Sequence, residues 1–378
     1  MSVHDDKSEP ANQGLDCIVR EAALGDFEAI CKVMRRNGLE PEDYSSWARL
    51  WNENPFRCEL QVPLGWVLES GTQGIVGTLS NIPRMYSLNN EPVRVAATRA
   101  LAVDPQFRFA AISLADIFLS QSNIDLFLDT TASPQAAVLF KFLECKEIPG
   151  PSCAQVLFWI VNYTRFAGAM LRKVRMPASA VIRYAAGQAL YLRDLTNWRK
   201  HRFQKKEICL LTSFDERFDV LWDLLRHRNN RLFAVRTSKA LNWQFRPALE
   251  SGNIVILGVI DGGSLSGYLI MRRYDHEQYG LRRFRVVDIQ AIGDDSNTVL
   301  SLMSAALEHA ARSGVDVVEA MGFNKLKRDY LHQLHPHLRA LPSSPYLYRV
   351  NANSAVLQHA LRDADAWDPS PFDGDAAL

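Results

Sequence analysis

The junction of a strand and a helix near residue 105 is the part of the sequence best suited to bind a ligand. The stretch AVDPQFRFAAISLADIF, residues 102–118, reads as the end of a strand, a loop and a helix. A helix N-terminus presents unpaired N–H donors and a partial positive charge, which together suit a diphosphate. Such loops usually contain glycine because the backbone must approach the phosphate closely, yet this loop has none. Ala111 and Ser113 are small and Arg108 adds charge, so we expect diphosphate binding provided that Phe109 needs no left-handed backbone.

The elements that position this loop are predicted from the hydrophobic pattern of residues 16–162. We predict a strand, a helix, a meander of three strands, a helix, a strand and a last helix, in that order. Asn89 and Asn90 are expected to form the turn between the last two meander strands, because asparagine tolerates a left-handed backbone. Ser133 and Pro134 predict the N-cap and first turn of the last helix. The stretch between Trp47 and Pro63, rich in tryptophan and proline, is predicted to be a loop.

The same order of elements returns in residues 207–350, which predicts two tandem domains of α/β (α+β) class. The length of 378 residues agrees, since one hydrophobic core seldom grows beyond about 250 to 300 residues. We expect residues 1–15 to be a flexible N-terminus, and the acidic tail of residues 351–378 to be partly disordered.

Residues 163–206 differ in composition, since lysines and arginines are frequent and Asp194 is the only acidic residue. Alanine and leucine recur there at helical spacing, which predicts a basic helical connector with one apolar side. Two interpretations stay open. The connector packs on both domains with solvated arginines outside, or it makes a peripheral contact with an anionic membrane surface.

The composition and the missing motifs exclude several classes of protein. The net charge is +1 and 47% of the residues are hydrophobic, which indicates a soluble globular protein without broad attraction to nucleic acid. The sequence shows no signal peptide and no run of about 18 apolar residues, and its cysteines form no CxxC pair, so we expect a cytoplasmic protein. His332, His335 and His337 lack a cysteine or carboxylate to complete a metal site, so no metal is expected. GxSxG, P-loop, GxGxxG and HExxH motifs are absent.

The first half resembles the GNAT acyl-CoA N-acyltransferases over roughly residues 16–160, and the second half is a more divergent copy. The likeness is carried by the strand end at residues 101–105, by Phe107-Arg108, by the strand IDLFLDT and by Ser133-Pro-Gln-Ala136. It implies a mixed sheet whose fourth and fifth strands splay apart to admit the pantetheine arm of acetyl-CoA or another acyl-CoA. The backbone of Leu101 and Val103 would pair with pantetheine. The cofactor-binding residues that the resemblance implies are Leu101, Val103, Arg108, Phe109, Ala110, Ala111, Ser113, Ser133 and Phe140.

The second copy departs from this pattern at the corresponding loop. Asp294 and Asp295 stand where a diphosphate would bind, and like charges repel. We therefore expect the second half to have lost the cofactor, and to shape the acceptor site or to stabilise the first half. Its segment LNWQF, residues 241–245, resembles a stretch of Fem-type members of the superfamily, in which transfer can use an aminoacyl-tRNA.

Amide formation from a thioester needs a base, a stabilised oxyanion and an acid for the leaving thiolate. The resemblance places the base at Ala97 and the acidic tyrosine at Phe140, and neither side chain can perform that role. Glu69 and Asp129 are the nearest carboxylates by element position, and a purely structural acid is the alternative for each. Thr98 and Arg99 are expected to line the cleft and to bind the acceptor, unless Arg99 reaches solvent instead.

The second copy carries the carboxylate and the phenol that the first copy lacks, as Asp288 and Tyr330. Both are catalytic candidates on this ground. The alternative for Asp288 is a buried acid paired with one of the nearby arginines, which are Arg282, Arg283 and Arg285.

The sequence thus predicts an acyl-CoA-dependent N-acyltransferase that transfers an acyl group, expected to be acetyl, to the amine of a small molecule. The first alternative is a non-catalytic GNAT-like pair with a binding or regulatory role, which the missing base and acid favour. The second is a Fem-type aminoacyl transferase, for which tRNA would be the nucleic-acid partner. The identity of the acceptor, the acyl chain length and the oligomeric state are open at this point.

Overall fold

The computed structural model describes residues 17–150, 154–197, 203–341, 346–375 and 377–378. The predicted N-terminal segment of residues 1–15 lies outside this range, as do Arg199, Lys200 and Arg202 of the basic connector. The elements of the first half are β1 (Cys17–Glu21), α1 (Phe27–Arg36), α2 (Tyr44–Asn52), α3 (Arg57–Leu60), β2 (Gly65–Ser70), β3 (Gly74–Leu88), β4 (Glu91–Val103), α4 (Ala111–Leu119), β5 (Leu126–Asp129), α5 (Pro134–Phe142), β6 (Lys146–Glu147) and β7 (Gln155–Ile160).

The connector forms two helices, and the second half then repeats the order of the first. The connector helices are α6 (Tyr163–Lys173) and α7 (Ala180–Asn197). The later elements are β8 (Ile208–Leu211), α8 (Glu216–Arg228), β9 (Phe233–Ala234), α9 (Ser238–Glu250), β10 (Ile254–Asp261), β11 (Ser264–Arg273), β12 (Arg283–Ala291), α10 (Ser296–Arg312), β13 (Val317–Met321), α11 (Lys325–His332), β14 (His337–Ala340), β15 (Leu347–Val350) and α12 (Ala355–Ala360).

Local sequence signals of the first half act as predicted at two turns. Asn89 and Asn90 have φ angles of 52° and 67°, so both residues adopt the left-handed backbone that closes the β3–β4 hairpin. The Ser133 hydroxyl accepts a hydrogen bond from the Ala136 N–H group and caps α5, and Pro134 is the first residue of that helix. These two turns fix where β4 begins and where the chain leaves β5.

The stretch between Trp47 and Pro63 is not the predicted loop, because it contains the short helices α2 and α3. The Asp43 carboxylate accepts the Ser46 N–H group and caps α2. The apolar residues of α2, including Trp47 and Trp51, are buried in the main core. The tryptophans that suggested a loop are therefore the buried face of a helix.

Two mixed sheets organise the fold, and each half supplies a strand to the sheet of the other half. The first sheet has the order β1-β2-β3-β4-β5-β15-β6, and the second has the order β14-β7-β13-β12-β11-β10-β8. Strand β15 from the second half pairs with β5, and β7 from the first half pairs with β13. The boundaries predicted at residues 162 and 207 therefore separate the chain segments but not the two sheets.

A buried hydrogen bond and the C-terminal segment tie the halves together. Arg84 of the first half donates to Gln244 of the second half at 2.6 Å, and both side chains are buried. Trp367 and Phe372 belong to a hydrophobic cluster that includes residues of both sheets. Most of residues 367–375, in the tail for which partial disorder was predicted, are buried.

Candidate functional site

Strands β4 and β5 part at the place that the resemblance implies. They pair in parallel from Val95 to Ala97 on β4, and no further pair joins them although β4 continues to Val103. A bulge interrupts the pairing of β4 with β3 at this level, and Ala100 within it has a φ angle of 53°. The β4 edge from Thr98 to Val103 thus has backbone groups free for a partner in the described part of the chain.

The N-terminus of α4 lies beside this gap and has no side-chain cap. Residues 105–110 form a 3₁₀ turn, in which Phe107 and Ala111 donate their N–H groups to Asp104 and Arg108. Ala110 stands at the N-cap of α4 and provides no side-chain acceptor. Phe109 is absent from the residues with positive φ, so its backbone is ordinary and the turn forms without glycine.

The exposed surface around this helix end is compatible with an anion. Arg108 is exposed, and no carboxylate pairs with it among the described residues. Ile112 and Ser113 are exposed as well, and the ring of Phe109 is 61% exposed. A diphosphate could therefore reach the first turn of α4 and the Arg108 guanidinium without displacing another side chain.

The corresponding helix of the second half already carries an anion of its own. The Asp295 carboxylate accepts hydrogen bonds from the N–H and hydroxyl groups of Thr298 at the start of α10, and Lys206 lies 3.0 Å from it. Asp294 pairs with Arg231. A carboxylate predicted to repel a diphosphate, that of Asp295, therefore caps α10. No acidic side chain caps α4.

Asp129 is the catalytic candidate that the structure places at the gap. It is the last residue of β5 and is only 7% exposed. Burial and, to a lesser extent, the charge of Asp375 raise the pKa of Asp129 to about 7, although hydrogen bonding from Thr131 and Thr98 opposes the shift. A carboxyl group with this pKa can exchange a proton near neutral pH, as a general base must.

The C-terminal segment completes the surroundings of Asp129, and sequence analysis missed it. The Asp375 carboxylate accepts hydrogen bonds from the hydroxyl groups of Thr130 and Thr131, at 2.9 Å for each. Asp373 accepts a hydrogen bond of 3.0 Å from the Tyr86 hydroxyl, and burial raises the pKa of Asp373 to about 6. The aromatic residues of the tail, Trp367 and Phe372, were the signal in the sequence that it packs against the fold, because disordered segments contain few aromatic residues.

The predicted acceptor-binding residues adjoin Asp129. Thr98 is buried and lines the same small cavity as Asp129, and its side chain acts to lower the pKa of that carboxyl group. Arg99 does not simply reach solvent, since its guanidinium donates to Glu42 at 2.6 Å. The Nη1 atom of Arg99 is buried without a hydrogen-bond partner. This donor is available to a carboxylate or phosphate of an acceptor that enters the gap.

A small cavity of about 10 Å³ lies at the inner end of the gap. Its lining includes Phe118, Phe127, Phe140 and Leu347, with Thr98 and Asp129 at one side. Phe140 is buried and its ring packs edge-on against Phe118. The ring therefore serves as part of the wall of this cavity, which has room for about one water molecule.

The other catalytic candidates lie away from the gap or apart from each other. Glu69 pairs with Arg20 at 2.5 Å on the β1–β2 side of the first sheet. Asp288 is a buried acid, as the alternative for it stated, but its partners are Arg236 and Tyr268 rather than Arg282, Arg283 or Arg285. Tyr330 lies near Asp294 and Asp295, and no hydrogen bond joins it to Asp288 among the described residues. The structure thus does not bring Asp288 and Tyr330 together as an acid and base pair.

A chain of buried polar contacts accounts for Asp288 and for its neighbours. Gln290 donates to Asp288 at 3.0 Å, and Lys327 donates to Gln290 at 2.9 Å and to Asp368 at 2.6 Å. Lys327 holds the pKa of Asp368 down at about 2 against the effect of burial. Each charge in this chain has a partner of opposite sign, as buried charges require, so its role is structural.

Two further sequence features have structural explanations. The segment LNWQF, residues 241–245, lies in α9, where Trp243, Gln244 and Phe245 are buried against the first half. His337 lies 2.8 Å from Asp194, and no group of three metal-binding side chains occurs in the residues that the structure describes. No helix in the same residues is both long and apolar enough to cross a bilayer.

No protein-family model and no curated protein sequence matches the chain. Solved structures match it over most of its length. A GCN5-related N-acetyltransferase from Anabaena variabilis is 12% identical with a TM-score of 0.54, over 89% of this chain and 73% of that one. A GCN5-related N-acetyltransferase from Kribbella flavida is 13% identical with a TM-score of 0.55, over 90% of this chain and 72% of that one.

The N-myristoyltransferase of Saccharomyces cerevisiae with bound myristoyl-CoA is also similar, at 15% identity and a TM-score of 0.53, over 92% of this chain and 86% of that one. The chain has the GNAT fold. The resemblance read from residues 101–136 is therefore confirmed at the level of the fold, and so is the predicted α/β class. Because these neighbours extend over about nine tenths of the chain, the GNAT fold includes both halves.

Proposed function

We propose that this chain is an acyl-CoA-dependent N-acyltransferase that binds its acyl donor in the first half. The observation that carries the proposal is the difference between the two equivalent helix ends. Asp295 caps α10, whereas α4 has an uncapped N-terminus next to the unpaired edge of β4. The fold shared with acyltransferases supports the same assignment.

The residues beside the gap suit two parts of an acyl-CoA, the diphosphate and the pantetheine arm. The N–H groups at the start of α4, with Arg108, suit the diphosphate. The free β4 edge between Thr98 and Val103, which includes Leu101, suits the amides of the pantetheine arm. Ser133 is occupied as the cap of α5, so its predicted contact with the donor would use the face of its hydroxyl away from Ala136.

Asp129 is the proposed general base of the transfer. The acceptor ammonium loses a proton to the carboxylate, and the neutral amine then attacks the thioester carbonyl carbon. The nitrogen of the tetrahedral intermediate loses its second proton to solvent, and the intermediate collapses with cleavage of the C–S bond, which gives the neutral amide and a thiolate. Because Phe140 cannot donate a proton, we assign the protonation of the thiolate to the protonated Asp129 or to solvent.

The surroundings of the gap favour a short acyl group and an acceptor with a negative charge. The inner cavity of about 10 Å³ leaves little room behind Asp129, so acetyl fits this structure better than a long chain. Arg99 offers a buried donor beside the base. We therefore propose an amine that carries a carboxylate or phosphate as the acceptor, either a small molecule or a peptide.

A thermal-shift and calorimetry series with acetyl-CoA, a long-chain acyl-CoA and free CoA tests the proposal. We expect stabilisation by acetyl-CoA and by CoA, and loss of the effect in Arg108→Glu with a smaller loss in Arg108→Gln. Arg228→Glu, an exposed arginine of the second half, is the matched control. Absence of stabilisation by all three ligands would overturn the proposal.

A binding or regulatory role is the second candidate, because no tyrosine stands at the place of Phe140. The two candidates differ in one measurement on the unaltered protein. Release of free CoA thiol from acetyl-CoA, in the presence of a set of anionic amines, supports the enzyme. Binding of CoA with no thiol release across the set supports the non-catalytic role.

A further inference from the structure

The helical hairpin of the connector, formed by α6, α7 and the loop of residues 174–179, exposes an unusual amount of apolar surface. The exposed fractions of Val174 and Met176 in the loop are 61% and 57%. On α7 the exposed apolar side chains are Val181 at 78%, Ile182 at 42%, Tyr184 at 60%, Tyr191 at 39%, Leu192 at 59% and Leu195 at 41%. Contiguous apolar patches of this kind mark interaction sites on soluble proteins.

These residues form one stripe along α7, on the side opposite to α6. Residues 181, 184, 192 and 195 follow the helical spacing that places side chains on one face. The opposite face packs on α6, where Gly187 lies so close to Thr164 that a Cβ atom would approach its backbone to 2.8 Å. Tyr163 donates to Asp194 at 2.9 Å across the same interface. The apolar stripe therefore points outward.

Two basic side chains at one end of the stripe have no acidic partner among the described residues. Lys173 and Arg175 alternate with Val174 and Met176 and are exposed, and neither pairs with a carboxylate in the described part of the chain. Asp194 is the only acidic residue of the connector, and its carboxylate is bound by Tyr163 and His337. An apolar face bordered by unpaired cations matches the surface of an anionic bilayer.

We propose that the hairpin docks the protein on an anionic membrane surface. Helix α7 lies in the plane of the interface with its stripe among the acyl chains, and Lys173 and Arg175 contact lipid phosphates. A second copy of the chain fits this surface less well. Two hairpins packed stripe to stripe would bring the same cations of both copies to one interface, where they repel.

Flotation of the full chain with vesicles tests the proposal. The vesicles contain phosphatidylcholine alone or an equal mixture with phosphatidylglycerol. We expect the protein to float with the mixed vesicles, and to bind them less at high ionic strength because salt screens the lysine and arginine contacts. Binding to neither kind of vesicle, or equal binding to both, would overturn the proposal.

Two sets of variants locate the contact. Val181→Asp with Leu192→Asp should reduce the bound fraction at least about tenfold, because the stripe supplies the buried apolar area. Val356→Asp is the control, since Val356 is 86% exposed on α12 and lies outside the hairpin. Lys173→Gln with Arg175→Gln should weaken binding to the mixed vesicles and abolish its salt dependence.

Sedimentation velocity and thermal melting of the same variants complete the test. Unchanged melting of the aspartate variant shows that loss of flotation reflects a lost contact rather than unfolding. If the aspartate variant unfolds, the glutamine variant, which alters only exposed side chains, decides the test. A dimer that the double aspartate variant dissociates, with no vesicle binding by the unaltered chain, would assign the stripe to self-association and overturn the membrane proposal.

Discussion

The Thr130 hydroxyl group donates a hydrogen bond of 2.9 Å to the Asp375 carboxylate. This contact joins the loop after β5 to the C-terminal segment, 245 residues further along the chain. It also brings a second carboxylate close to Asp129, and the charge of Asp375 contributes to the raised pKa of Asp129. The candidate base is therefore tuned by a segment that lies outside both predicted domains.

The first prediction concerns the base itself. Asp129→Asn should lower kcat by about 10² to 10⁴, because a positioned general base contributes that much to the rate. The affinity for acetyl-CoA should stay within a few-fold, since the diphosphate contacts lie at α4. Release of CoA thiol measures the rate and calorimetry measures the affinity. Glu69→Gln, which removes a carboxylate paired with Arg20, serves as the control, and equal rate losses in both variants would contradict the role of Asp129.

The second prediction concerns the pH dependence of the rate. The base acts when ionised, so kcat/KM should rise with pH and level off above the Asp129 pKa of about 7. Asp375→Asn removes a negative charge that raises this pKa, so the acid limb should move to lower pH. The exposed residue Asp365 provides a control in Asp365→Asn, for which the limb should stay in place. An upward movement in Asp375→Asn would show that the assigned interaction is wrong.

The third prediction concerns how the stability of the protein changes with pH because of the raised Asp129 pKa. Asp129 has a higher pKa in the folded protein than the ordinary value of 3.8, so the native state binds the proton more tightly. The stabilisation is complete below about pH 4 and is lost as the pH rises through about 7. Asp129→Asn, which cannot ionise, should therefore gain about 1 to 3 kcal/mol relative to the unaltered chain between pH 4 and pH 8. Urea unfolding at both pH values measures the difference, and a constant difference would refute the burial of a titrating carboxyl group here.

Sequence reasoning found the parts of the site that depend on local chemistry. The left-handed pair Asn89-Asn90 and the Ser133 cap follow from residue types whose preferences for a local backbone conformation or cap are known. These features needed no knowledge of distant contacts.

Features that depend on distant pairing could not be read in the same way. Nothing in the sequence of the four residues of β15 indicates that they pair with β5 rather than with a strand of their own half. Likewise, the partner of Asp288 is 52 residues away at Arg236, whereas the sequence pointed to the arginines next to it. The first depends on how the two halves pack, and the second depends on how β12 packs against the segment before α9. The local pattern specifies neither.

The fourth prediction concerns the buried pair between Arg236 and Asp288. Replacing Arg236 with methionine leaves Asp288 buried without its cation, and this should cost about 3 to 5 kcal/mol of the free energy of unfolding. Adding Asp288→Leu to that variant should restore part of the loss, because no uncompensated charge then remains. Urea unfolding of the two single variants and the double variant gives the coupling energy. Additive losses would mean that the pair does not act as a unit.

The fifth prediction tests the free N-terminus of α4 against the capped N-terminus of α10. Ser113→Glu places a carboxylate in the first turn of α4, where the helix dipole favours it, so the unliganded protein should not lose stability. The same charge repels a diphosphate, so the affinity for CoA should fall at least about tenfold, while the uncharged Ser113→Gln should retain most of it. Calorimetry with CoA and with pantetheine separates the contribution of the diphosphate from the rest of the affinity. Pantetheine has no diphosphate, so its affinity should be equal in both variants. Equal CoA affinity in Ser113→Glu and Ser113→Gln would place the diphosphate elsewhere and leave the open end of α4 without a ligand.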